Sequence, residues 1–180
     1  MPLKIAVLVG SLRKASFNRQ LADVLATLAP DDVDFQRQRI DDLPLYNQDD
    51  DKDQPAPTKR LKQAIRDADG VLFVTPEYNR SVPGVLKNAI DHASRPYGDS
   101  AFAGKPAAVI GVSIGAIGTA CAQQHLRCIL AYLDMPSYGQ PEAFLKNDVV
   151  LEKDGSVAEG SREFLQKWMD GFIAWLKHHA

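Results

Sequence analysis

The chain has 180 residues, 23 of them acidic and 21 basic, for a formal net charge of -2. That length suits one domain able to bury about 70% of its unfolded surface. With 45% hydrophobic and 24% charged residues it falls among globular proteins, which excludes disordered, collagen-like and coiled-coil chains. The charge balance leaves no electrostatic footprint for nucleic acid or an anionic membrane. No apolar run approaches the roughly 18–20 residues of a membrane span. The stretch after Met1 runs straight into Gly10-Ser11 and has no room for a signal-peptide core and cleavage site. Two cysteines make no disulfide framework. The expectation is one cytoplasmic domain over residues 1–180, without membrane or nucleic-acid partners.

Ile5-Ala6-Val7-Leu8-Val9 is an uninterrupted apolar run ending at Gly10, as in a strand covered on both faces. Ser16 can cap a helix in which Phe17, Leu21, Val24, Leu25 and Leu28 recur at helical spacing. Residues 33–40 alternate and predict a half-buried strand near an edge. Residues 41–57, with many Asp and with Pro44, Pro55 and Pro57, have no period; so long a loop is usually functional or mobile. Leu61, Ala64, Ile65 and Ala68 mark a second helix, and Val71-Leu72-Phe73-Val74 a second fully apolar strand. Pro76 holds Thr75 extended where the chain leaves that strand.

Ser81-Val82-Pro83 opens a third helix, with proline placed in its first turn. Residues 107–112 form another apolar strand, followed by a small-residue turn and a long helix carrying Leu126, Ile129, Leu130 and Leu133. Residues 135–138 are a short strand candidate. Phe164, Leu165, Trp168, Phe172, Trp175 and Leu176 line a final helix. Strands alternating with helices predict an α/β fold: a doubly wound, five-stranded parallel sheet of flavodoxin-like order, with helices on both faces.

Such sheets bind ligands outside the carboxyl ends of their strands. That rule selects residues 10–18, 75–81 and 112–118, which should converge on one rim. In the first, hydroxyls, Asn18 and the free N–H groups of a helix start form an anion site, with Arg13 able to add a charged contact. It matches neither a P-loop nor Gly-x-Gly-x-x-Gly, and a plain capped turn is the alternative. In the second, Pro76, Pro83 and Gly84 stiffen a loop presenting Tyr78 and Asn79, which suits the edge of a flat heteroaromatic ligand; an ordinary turn is the alternative. In the third, small residues allow close approach of a ligand or, as the favoured reading on its own, of a neighbouring helix.

Together these segments resemble the NADPH-dependent FMN reductase family, and within it the chromate and quinone reductases. The resemblance is carried by Gly10-Ser11-Leu12-Arg13-x-x-Ser16-Phe17-Asn18 and by Pro76-Glu77-Tyr78-Asn79-x-Ser81-x-Pro83-Gly84-x-Leu86-Lys87-Asn88-Ala89-Ile90-Asp91. Phe102-Ala103-Gly104-Lys105-Pro106 and Ser113-x-Gly115-x-x-Gly118 extend it over nearly the whole chain. It implies that Ser11, Arg13, Ser16, Phe17 and Asn18 hold the FMN phosphate and ribityl chain. Pro76, Glu77, Tyr78 and Asn79 would lie along the isoalloxazine edge, with Ser113 a further flavin contact. It also implies hydride transfer from NADPH or NADH to FMN and on, in ping-pong order, to a quinone, chromate or azo-type acceptor. The flavin would carry the chemistry, so no side chain is expected as nucleophile or base. A homodimer or homotetramer is implied, with the helix after Pro83 and the one from Cys121 to Leu133 as contact elements.

Two positions depart from the family pattern. Arg80 follows Asn79 and reads as a solvated or subunit-contact side chain, with a dinucleotide phosphate as its alternative ligand; His92 stands where relatives often carry an aromatic. Other tempting groups carry less. Cys121 and Cys128 lie about 10.5 Å apart along one helix and cannot pair within it. His178 and His179 end the chain, His125 has Ile129 rather than a ligand four residues on, and Asp49-Asp50-Asp51 reads as solvated loop. No metal site is expected. Two other functions compete. A flavodoxin-type electron carrier usually has a Thr-rich phosphate loop and a strongly acidic surface, neither present here. A phosphate or nucleotide sensor would leave residues 76–79 unexplained.

Overall fold

The computed structural model describes residues 2–179. Successive strand residues point to opposite faces of a sheet, so an apolar run is stable as a strand only when both faces are covered. Three runs meet that condition: β1 (Leu3–Val9), β3 (Gly70–Val74) and β4 (Ala107–Ser113). Ile5, Val7, Val9, Leu72, Val74, Ala108, Ile110 and Val112 face one layer, which holds α1 (Phe17–Leu28) and α6 (Glu159–His179). Ala6, Leu8, Val71, Phe73, Ala107 and Val109 face the other, which holds α2 (Ala56–Asp67), α3 (Gly84–Ala93) and α4 (Ala120–Tyr132).

All pairings are parallel, and the sheet order is β2-β1-β3-β4-β5, with β2 at Val33–Arg37 and β5 at Phe144–Lys146. This is the flavodoxin-like order the alternation of elements predicts. The order of the strands reverses between β1 and β3, the switch point beside which sheets of this kind bind their ligands.

The elements differ from expectation in three places. The edge strand stops at Arg37 rather than at residue 40; Gln38 makes a last bond to Val7 (2.9 Å) before the chain departs. Residues 135–138 do run beside the start of β4, through Ala107 N–H to Pro136 O and Tyr138 N–H to Ala107 O, both 2.8 Å. They contribute only an isolated bridge, because Pro136 has no N–H for a ladder. The fifth strand is instead Phe144–Lys146, whose single buried residue gives no readable period. Pro83 stands just before α3, its carbonyl accepting from Leu86 and Lys87 (3.0 Å each), rather than within the first turn.

Residues 41–55 are tied down rather than loose. They contain a 3-10 turn, Gln48–Lys52, and are held on α3 by Asn88 and His92. A short helix, α5 (Asn147–Val150), links β5 to α6. No helix among the described residues is long and apolar enough to cross a membrane.

Candidate functional site

Three loops leave the carboxyl ends of β1, β3 and β4. In the first, Ser16 is the cap of α1, its hydroxyl accepting from the Arg19 N–H at 3.3 Å and its carbonyl from Arg19 and Gln20. Ser11 is buried, and its hydroxyl accepts from the Arg13 N–H at 3.4 Å. The backbone N–H groups of Leu12, Lys14, Ala15, Ser16, Phe17 and Asn18 make no hydrogen bond among the described residues. A run of unspent donors at a helix start, on the positive end of its dipole, is a cradle for an anion. Arg13 stands beside it, its guanidinium 5.2 Å from the Phe17 ring centroid and not paired with any carboxylate among the described residues.

Asn18 is 3% exposed and turns inward from this cradle. Its Nδ2 donates to Val112 O (2.8 Å) and its Oδ1 accepts from Val112 N–H (3.1 Å), so its amide fastens the start of α1 to the end of β4. The first and third loops are thereby held in one register.

In the second loop the Thr75 hydroxyl donates to Pro76 O (2.8 Å), and Tyr78 and Ser81 close a tight turn through Tyr78 N–H to Ser81 O (3.2 Å) and Ser81 N–H to Tyr78 O (3.0 Å). Asn79 and Arg80, at the tip, both have positive φ, 51° and 61°. Tyr78 is exposed, while the Glu77 carboxylate points away from solvent and accepts from Ala122 N–H in the first turn of α4 (3.0 Å). A carboxylate on a free helix N–H is favoured both by the hydrogen bond and by the dipole. Arg80 is exposed, its Nη1 3.7 Å from Glu77 Oε1. Ser81 shares a 3.0 Å hydrogen bond with His125 Nδ1 on α4.

In the third loop the Ser113 hydroxyl donates to Gly118 O and accepts from Gly115 N–H at 3.3 Å, closing the loop on itself. Gly118 has φ 66°, and a Cβ there would lie 2.5 Å from the Phe144 carbonyl carbon. Gly111 in β4 is required in the same way, since a Cβ would meet Thr75 O at 2.1 Å. The rim carries exposed apolar side chains from all three loops: Leu12, Tyr78, Ile114 and Ile117. Polar donors below and apolar side chains around suit a ligand with an anionic end and a flat, weakly polar body.

Three relations lie beyond what spacing shows: Asn18 on Val112, Glu77 on Ala122 and His125 on Ser81. Each joins elements at least 44 residues apart. His92, the departure from the family pattern, is buried under residues 44–46. Its Nδ1 meets the Thr58 hydroxyl and its Nε2 meets Pro44 O, both at 2.9 Å, with Tyr46 packed edge-on at 5.5 Å. Cys121 and Cys128 are unpaired, and His179 stacks on Trp175 at 4.2 Å. Two clefts are present among the described residues. One, of about 630 Å³, runs between α3 and α4, away from the rim; another, of about 490 Å³, opens beside the first loop at Ser11 and Leu12 and extends to the end of β2, where Arg37 and Arg39 are paired with Asp23 and Asp41.

A parallel sheet in this order, with an anion cradle after its first strand and an aromatic loop after its third, defines a flavodoxin-like mononucleotide-binding protein. More specifically, the chain belongs to the NADPH-dependent FMN reductase family, whose model matches residues 3–149. It is 56% identical over 179 residues to a 2-hydroxy-1,4-benzoquinone reductase of a Burkholderia species, covering 98% of each chain. It is 52% identical over 175 residues to a quinone reductase of Pseudomonas putida, covering 96% of this chain and 94% of the relative. The structure superposes with a TM-score of 0.92, at 46% identity and 98% coverage of both chains, on FerB of Paracoccus denitrificans, a flavoenzyme NAD(P)H:(acceptor) oxidoreductase. The protein is therefore an oxidoreductase of the NAD(P)H-dependent FMN reductase and quinone reductase type, with FMN as cofactor. The unspent N–H groups of Leu12 and of residues 14–18, with the unpaired Arg13 guanidinium, fit the phosphate of that cofactor.

Proposed function

We propose that this protein is a ping-pong reductase that passes hydride from NADPH or NADH through FMN to a quinone, with chromate and azo-type compounds as further acceptors. The observation that carries the reading is the run of unspent backbone donors at the start of α1, beside an unpaired arginine and below a rim of exposed apolar side chains. The quinone is supported by the names of the relatives at 56% and 52% identity. When bound, FMN supplies the hydride-accepting and hydride-donating chemistry.

Under this reading the chain's residues bind, orient and shield. Ser11, Arg13 and Ser16 hold the phosphate and ribityl chain, and Phe17 supports the Arg13 guanidinium. Pro76, Tyr78 and Asn79 border the isoalloxazine edge, and Ser113 fixes the loop opposite. Asn18 and Glu77 contribute by fastening those loops to β4 and α4. Leu12, Ile114 and Ile117 keep water from the edges of the ring while leaving one face open. An open face admits a dinucleotide and then a flat acceptor in turn, which is what ping-pong order requires.

The same reading includes a cytoplasmic homodimer or homotetramer. It is supported by the cleft between α3 and α4, where Tyr97 and Tyr132 are 74% and 72% exposed beside Ile129 and Leu133. The test is an anaerobic visible spectrum of desalted, FMN-supplemented protein, followed by one equivalent of NADPH and then a quinone. Flavin that is retained, bleaches on NADPH and recovers on quinone supports the reductase. Retained flavin that NADPH leaves unbleached would instead favour an electron carrier.

A further inference from the structure

Asn79 and Arg80 occupy the left-handed backbone region in succession, a conformation that side-chain-bearing residues rarely adopt. Strain of this kind persists only where the surroundings hold it, and it gathers where a ligand must be met by fixed groups. The turn's own two backbone bonds close it but do not attach it to the body of the protein. Attachment comes from α4, at two points. Glu77 on the near side accepts from Ala122 N–H, and Ser81 on the far side bonds His125 Nδ1 at 3.0 Å. Ala122 and His125 are three residues apart and so share one face of α4. The left-handed pair is thus held between two anchors on a single helix, and the N–H groups of Asn79 and Arg80 make no bond of their own among the described residues.

We propose that His125 is a positioning residue for the flavin. Acting through the Ser81 hydroxyl, it keeps the strained turn in the shape that offers Tyr78 and Asn79 to the isoalloxazine edge. This rests on the FMN reading above. Either neutral tautomer serves, because a serine hydroxyl can donate to Nδ1 or accept from it. Without the bond the turn relaxes for part of the time, and FMN affinity falls by the fraction of competent turn that is lost.

The test uses the full-length, FMN-reconstituted protein and its His125→Ala, His125→Asn, Ser81→Ala and His125→Ala/Ser81→Ala variants. The readouts are the FMN dissociation constant, the visible spectrum of the bound flavin, and kcat and KM for a quinone. One neutral hydrogen bond corresponds to about fivefold in an equilibrium constant. His125→Ala should therefore weaken FMN binding about fivefold and shift the flavin bands, with the quinone KM unchanged. Ser81→Ala should do the same, and the double variant should go no further than either single one, since both remove one bond. The asparagine amide reaches the place of Nδ1, so His125→Asn should return to within about twofold of the starting protein. Wild-type affinity and spectrum in His125→Ala would overturn the proposal. So would multiplication of the two effects to about 25-fold, the result for independent residues, or a raised quinone KM, which would place His125 on the acceptor. Failure of the unsubstituted protein to retain FMN is read first and would overturn the FMN reading itself.

Discussion

Asn18 shows how one side chain can hold a site together without facing it. Both ends of its amide are spent on the backbone of Val112, 94 residues away, in a position that is 3% exposed. Replacing it by leucine leaves a buried N–H and a buried C=O without the partners they have, a loss of about 2–5 kcal/mol. The expected result for Asn18→Leu is a lower urea midpoint with unchanged slope, together with weakened FMN retention. An unaltered midpoint would mean that Val112 finds other partners. Gly118 makes the complementary case, in which a side chain is excluded. With φ 66° and the Phe144 carbonyl carbon 2.5 Å from a built Cβ, Gly118→Ala is expected to cost about 1–3 kcal/mol. Thermal unfolding and flavin retention, compared with the unobstructed Gly84→Ala, would check it.

Among elements, the long segment 41–55 and the turn after α3 are organised by buried polar groups. Lys62 of α2 is 2% exposed and reaches Asp99 Oδ2 (2.6 Å), Gln54 Oε1 (3.1 Å) and the Arg95 carbonyl. The Lys62 hydrogen bond, then its charge and that of Arg66, hold the Asp99 carboxyl below the usual carboxylate range. A carboxyl with a lowered pKa in the folded state stabilises above its ordinary value and loses that contribution as pH falls through the lowered one. Asp99→Asn is therefore expected to lower the urea midpoint at pH 7, where it leaves the buried ammonium without its carboxylate. The gap between the two proteins should begin to narrow as pH drops below about 4 and close only below the lowered carboxyl value; a gap that acidification does not narrow at all would show that geometry rather than charge matters. On the other side of the segment, Asn88 donates to Pro44 O (2.8 Å) and accepts from Tyr46 N–H (2.9 Å). Asn88→Ala should speed proteolytic cleavage within residues 43–52 without shifting the global unfolding midpoint by more than about 1–2 kcal/mol.

For the molecule as a whole, the α3–α4 face is where a second copy is expected. The cleft of about 630 Å³ is lined by Ile90, Cys128, Ile129, Tyr132 and Leu133, and the Tyr97 ring at its mouth lies 4.1 Å beneath the Arg95 guanidinium. A monomeric surface rarely leaves such a face open. Sedimentation should give two or four times the 19.8 kDa chain mass, and Tyr132→Glu should shift the population toward the single chain while far-UV dichroism stays unchanged. A wild-type protein at 19.8 kDa would remove the oligomer from the reading.

The layered α/β fold was legible in the sequence because burial on two faces leaves a continuous apolar run, as at residues 5–9, 71–74 and 107–112. The rim was legible too, since ligand loops in such sheets follow the carboxyl ends of their strands. Ser16 as a cap is equally local: a hydroxyl just before a helix finds an N–H three residues on. The fifth strand could not be read, because Phe144–Lys146 buries one residue and shows no period. Nor could the contacts of Asn18, Glu77 and His125, whose partners stand 94, 45 and 44 residues away. A short-range pattern records what a residue's own helix or strand demands of it. Which backbone N–H or hydroxyl it meets across the fold is decided only when the layers close, and that closure fixes the shape of the site.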